Sequence, residues 1–162
     1  MYPWLVYLHL LGLFGFLLAH GASSSASFSL RHERNLERIR ALLELSGSSF
    51  SVMYGSLLVL LVSGITAGVI GRWWGQAWIW VSLILLILIM GAMAGLGSRI
   101  YGGARKAAGL PYFEGTKQQP PIEPASEAEI HALLARGSPV LLTVIGYGGL
   151  AVIAWLMMFK PF

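Results

Sequence analysis

The chain has 162 residues, of which 56% are hydrophobic and only 11% charged, with a mean hydropathy of +0.71. Such a composition carries more apolar surface than a soluble domain of this size can bury, which excludes an ordinary soluble globular protein. The net charge of +4 comes without a basic stripe interleaved with aromatics, which excludes a nucleic-acid footprint, and the lack of cysteine excludes disulfides, thiolate metal sites and cysteine nucleophiles.

Four apolar stretches lie at about 3–25, 50–71, 77–98 and 139–159. Each is near the ~20 residues that cross a ~30 Å hydrocarbon layer as a helix. The expected fold is all-α: a four-helix transmembrane bundle, a single integral membrane domain over 1–162, with short amphipathic cytoplasmic helices in its loops. The first stretch reads as a retained helix rather than a secretory signal. No Lys or Arg precedes it, and its apolar run is longer than the core of a typical signal.

Within this first span stand His9 and His20, ionisable groups of a kind that is costly in lipid and that points into a bundle interior or a polar cavity. Eleven residues apart, they share nearly one helical face and are separated by ~16 Å along it. One metal ion cannot bind both. Each ring is either a neutral structural group bonded to a nearby hydroxyl or carbonyl, or a ligand. Ser23, Ser24, Ser25, Ser27 and Ser29 supply such hydroxyls and mark the place where the first span leaves the hydrocarbon and bends.

The loop at about 30–47 places Leu36, Ile39 and Leu43 on one helical face, with Glu33, Arg34, Glu37 and Arg38 elsewhere. This amphipathic segment is expected to lie along the membrane surface or to continue span one. Spans two and three are linked only by Arg72 to Gln76, which makes them antiparallel neighbours. Gly64 with Gly68, and Gly91 with Gly95, are spaced for close packing of those two spans in preference to a homodimer.

Methionines give thioether candidates at two levels: Met53, Met90 and Met93 toward the inner half with His20, and Met157 and Met158 at the outer level with His9. Met90 and Met93 are read as metal ligands only in company with His20. Imidazole with thioether suits a cytochrome-type iron or Cu(I), whereas the competing role of methionine is to fill irregular gaps in a core.

The loop at about 100–138 begins at Gly102-Gly103 and passes through Gln118-Gln119-Pro120-Pro121 and Pro124, which favour extended or turn backbone. A short helix follows. Ser126 and Glu129 have capping-box spacing, Ile130, Leu133 and Leu134 form an apolar stripe, and Gly137 before Pro139 ends it. In span four, Gly146, Gly148 and Gly149 surround Tyr147, a pattern for close packing or for a hinge.

Charge orients the spans. Arg31, Arg34, Arg38 and Arg40 fall in the first loop, and Arg99, Arg105, Lys106, Lys117 and Arg136 in or beside the second, against only Arg72 and Lys160 on the other side. The positive-inside rule then puts both loops in the cytoplasm and both termini outside. Trp4, Trp73, Trp74, Trp78, Trp80 and Trp155 all fall at the outer ends, as an aromatic belt would.

Catalytic signatures are missing from the sequence: there is no aspartate, and all seven acidic residues are glutamates in the two loops. A buried acid–base pair or an intramembrane carboxylate relay is therefore not expected. The stretch Trp4-Leu5-Val6-Tyr7-Leu8-His9-Leu10-Leu11-Gly12, followed by three more helices and an Arg-rich first loop, resembles the uncharacterised small bacterial four-helix integral membrane proteins. Those are distantly similar to the CopD copper-resistance and HemJ-like membrane families. The resemblance implies a bacterial cytoplasmic membrane protein, with His9 as the one residue carried over toward haem or copper.

Three functions are weighed. The first is a structural or accessory subunit without catalytic activity, acting through the lipid bilayer, other membrane subunits or a homodimer. The second is a haem b or copper module built on His9 or His20, and the third a small-solute or metal-ion permease whose path the histidine line would mark.

Overall fold

The computed structural model describes residues 2–162, about 80% of the chain being helical. Its elements are α1 (Tyr2–Leu30), α2 (Leu36–Ile70), α3 (Ala77–Ala107), a hairpin of β1 (Tyr112–Glu114) and β2 (Lys117–Gln119), α4 (Glu127–Ala135) and α5 (Pro139–Phe159). The fold is all-α apart from that hairpin. Helices α1, α2, α3 and α5 are each long and apolar enough to cross a membrane.

Three of these helices, α1, α2 and α3, at 29, 35 and 31 residues, are much longer than a bilayer requires. The 35 residues of α2 make a rod of ~52 Å, some 20 Å more than a ~30 Å hydrocarbon layer. The amphipathic segment around Leu36 to Leu43 is the excess. It was expected on the membrane surface or as a continuation of span one, and it instead opens span two. Asn35 caps it, accepting from Arg38 N–H at 3.1 Å through its side chain. Nothing between Leu36 and Ile70 breaks the helix, because the hydroxyls of Ser48 and Ser49 both bond back to the Leu45 carbonyl within the turn. Helix α1 likewise runs straight through its serines to Leu30.

The second departure lies at Gly102-Gly103, expected to open a loop. Both glycines are helical, and α3 passes through a π turn at Ser98–Gly102 before ending at Ala107. The true stop is Gly109, whose φ of +72° only glycine adopts readily. Leu110 N–H bonds the Arg105 carbonyl and Gly109 N–H the Lys106 carbonyl, a Schellman pair followed by Pro111. The hairpin then turns at Gly115, and α4 starts at Ser126, whose hydroxyl accepts from Glu129 N–H at 3.3 Å as the capping-box spacing anticipates.

Helix pairing differs from the expected order. Helices α1 and α2 pack along their whole common length, antiparallel, with His9 opposite Leu60, Gly12 opposite Ser56 and Leu60, and Ser23 opposite Ser46. Helix α3 packs mainly on α5, where Ile89 fills the space left by Gly149. Spans two and three touch at their connection, where Ile79 and Trp74 lie against Gly68. Close packing of their glycine faces is not what forms: Gly64 lies under the His9 ring, and both Gly91 and Gly95 face open space. The reason is steric and polar together. Small residues on α1 and α2 let those backbones meet, and His9 adds a hydrogen bond to the Leu60 carbonyl across that seam.

The two ends of the molecule are chemically distinct. At one end Tyr2 packs edge-on to Trp73 at 5.9 Å, Trp74 packs on Trp80 at 5.5 Å, and the Lys160 ammonium lies 4.2 Å from the Trp73 ring centre. At the other end, a small core of Leu30, Ile39, Leu43, Ala104, Ala107, Ile130 and Leu134 joins the projecting ends of α1, α2 and α3 to α4.

Candidate functional site

His9 is held by α2. Its Nδ1 lies 3.0 Å from the Leu60 carbonyl oxygen and 3.2 Å from the Ser63 hydroxyl. A carbonyl can only accept, so Nδ1 carries the proton and donates. Gly64 makes the approach possible, since a Cβ there would sit 2.9 Å from the His9 ring. The hydroxyl partner belongs to α2 and not to the serine run of α1.

His20 faces another seam. It is only 6% exposed and lies between Phe16, with ring centres 6.3 Å apart, and Tyr147, at 4.7 Å. Its Nε2 is turned against Gly146, where any Cβ would overlap the ring, and it has no hydrogen-bond partner. The α5 backbone here forms a π turn, Val144–Gly148, a distortion that occurs frequently at functional sites. Thr143, immediately before that turn, has a second buried polar atom without a partner, Oγ1. The glycine-rich pattern around Tyr147 thus marks both close packing and a break in helix regularity.

The two histidines, which share one face by sequence spacing, therefore serve different contacts, His9 toward α2 and His20 toward α5. Close to His20 lies the core cluster to which all four spans contribute: Phe16 and Ala19 of α1, Met53 of α2, Met90 of α3 and Leu150 of α5. Met90 thus shares a core with a neighbour of His20, while Met93 does not join that cluster. Met158 is 79% exposed and turns away from the interior. Among the described residues, no three of His, Asp and Glu gather as a metal site would need. A porphyrin bound through His20 Nε2 does not fit as the helices stand, because the Gly146 backbone occupies the side on which the ring nitrogen opens.

A second polar cluster lies in the core at the opposite end from the tryptophans, and two arginines tie it together. Arg40 Nε donates to the Ala108 carbonyl at 2.8 Å, and its Nη1 to Glu37 at 2.7 Å. Arg105 donates from Nε to Pro111 O at 3.1 Å and from Nη1 to Leu43 O at 3.0 Å. Backbone amides take the last carbonyls of α3, and the two arginines add Ala108 O and Pro111 O just past its end while tying it to α2 through Leu43 O and Arg40. Sequence reasoning counted both arginines only as orienting charges. The signal that could have found them is their position next to a helix stop, Gly109 with Pro111, where free carbonyls collect. In the turn between α1 and α2, the Asn35 and Arg34 amides, with Arg38 nearby, hold the Glu33 carboxyl below its usual pKa.

Comparison with protein-family models, with curated proteins and with solved structures finds no match.

Proposed function

We propose that this protein is a multi-pass membrane subunit that acts by packing and docking, with both termini outside, the joined core of α2, α3 and α4 in the cytoplasm, and no catalysis of its own. The observation that carries the reading is how unevenly the molecule is buried. The spans bury only 17–22% of their most apolar windows, leaving faces suited to lipid or to other transmembrane helices. The core at the end of α1, α2 and α3 is instead packed like a small soluble domain, with Leu30, Ile39 and Ile130 each 1% exposed. A rigid head on loosely covered spans fits a scaffold that presents a fixed surface to partners. Its single intramembrane core, thioethers included, fits gap-filling.

The test is purification of the full chain in mild detergent from a haem- and copper-replete host, with mild crosslinking beforehand. The reading expects a colourless, metal-free protein recovered in crosslinked assemblies larger than one chain. A Soret band that shifts on dithionite reduction, or near-stoichiometric copper, would overturn it in favour of a redox or metal-handling module.

A further inference from the structure

We propose that Lys160 is a conformational latch: its ammonium, seated on the rings of Trp73 and Trp78, holds the end of α5 to the link between α2 and α3 and can open from it. The Nζ lies 4.2 Å from the Trp73 ring centre and 5.7 Å from that of Trp78. The two indoles stand 5.7 Å apart, and Tyr2 of α1 meets Trp73 edge-on at 5.9 Å. One cation therefore gathers an end of each of the four long helices. Among the described residues no carboxylate pairs with it, and every glutamate of the chain belongs to the two large loops. The indole faces take that place, and tryptophan is the strongest aromatic partner a cation has.

The backbone around the contact makes it a latch and not a fixed brace. Two described residues other than glycine have positive φ, and both border this cluster: Arg72 at +55°, directly before Trp73, and Lys160 itself at +45°. Both lie in the left-handed region, which a side chain makes costly. Lys160 stands where a helix end usually places glycine, its N–H bonding the Leu156 carbonyl at 3.0 Å. At the other border the glycine comes one residue before the left-handed position. Gly71 keeps helical backbone, with φ −77°, and serves as the floor under Trp73, where a Cβ would stand 2.6 Å from the indole. The gain from a cation–π contact at an exposed lysine and the cost of one left-handed residue are of the same order, and Lys160 is exposed. Its closed and released positions are therefore near balance. Release leaves α5 in place, because Ile89 against Gly149 and His20 against Tyr147 hold that helix nearer its other end.

The test is NMR of the full chain in detergent micelles. The indole ring currents should shift the ε-methylene protons of Lys160 upfield from those of Lys117, and warming should move them back as the released position fills. Trp73→Leu should remove most of that shift. The backbone amide at position 160 gives a second readout. Lys160→Met keeps the length of the side chain without its charge and should speed exchange of that amide with deuterium about two- to fivefold, whereas Lys160→Arg keeps a cation and should hold the parent rate. An unshifted Lys160 overturns the proposal, as does a methionine variant that exchanges like the parent. A shift that does not change on warming overturns it too, since it would mean a fixed brace. Where Trp73→Leu fails to fold, the contrast between the methionine and arginine variants decides alone.

Discussion

Gly12 shows how one residue sets the distance between two helices. A Cβ at Gly12 would stand 3.0 Å from both the Leu60 nitrogen and the Ser56 carbonyl oxygen, and backbone atoms cannot swing aside as a side chain can. Gly12→Ala must therefore push α1 from α2 and weaken the His9 hydrogen bond one turn away. We expect a loss of about 1–3 kcal/mol, the usual cost of overpacking. Gly91→Ala is the control, because that position faces open space, and it should change stability by less than about 0.5 kcal/mol. Unfolding of both variants in the same detergent checks the contrast, and equal losses would mean that the α1–α2 seam is looser than its geometry implies. The histidines were legible as unusual residues in an apolar span. Which helix each one faces was not, because that depends on contacts between helices far apart in sequence.

At the scale of elements, the signals that proved readable are local. Ser126 and Glu129 foretold the start of α4 because a capping box lies within one turn, whereas the brief link from Arg72 to Gln76, expected to make spans two and three antiparallel neighbours, brings them together only at that link. The ends of α2 and α3 were harder, since glycine or serine inside a helix is tolerated when packing supports it, and a stop requires a pair such as Gly109 with Pro111 rather than Gly102-Gly103 alone. Beyond that stop, Arg105 holds the Pro111 carbonyl and reaches across to Leu43 of α2. A lysine there has one ammonium and cannot reproduce the fork that reaches Leu43 and Pro111 together. Arg105→Lys is thus expected to loosen the chain that returns along α3, where Ala125 N–H bonds Ala107 O. Hydrogen bonds to charged groups are worth about 1.5–3 kcal/mol, so the Ala125 amide should exchange with deuterium about tenfold faster or more. Unchanged exchange would show that apolar contacts at Ile130 and Leu134 hold that segment without the arginine.

For the whole molecule, the four long apolar helices could be read from length and hydropathy, but their pairing could not. In water an apolar stripe identifies the buried face of a helix; in lipid the inward and outward faces are equally apolar, so the pattern says little about neighbours. Exposed Leu18, Ile87 and Val62 are as apolar as buried Ile89 and Leu156. What the sequence does carry at this scale is charge asymmetry, and it yields a sharp expectation. Nine of the eleven Lys and Arg residues lie in or beside the two large loops, which should hold those loops in the cytoplasm. The chain has no cysteine, so single cysteines report position cleanly. Gln76→Cys, at the exposed link beside the tryptophan cluster, should react with a membrane-impermeant maleimide on intact cells, whereas Glu123→Cys, exposed beyond the β-hairpin, should react only after the membrane is opened. The reverse pattern would place the packed head outside, and any partner of that head would then have to be sought on the opposite face of the membrane.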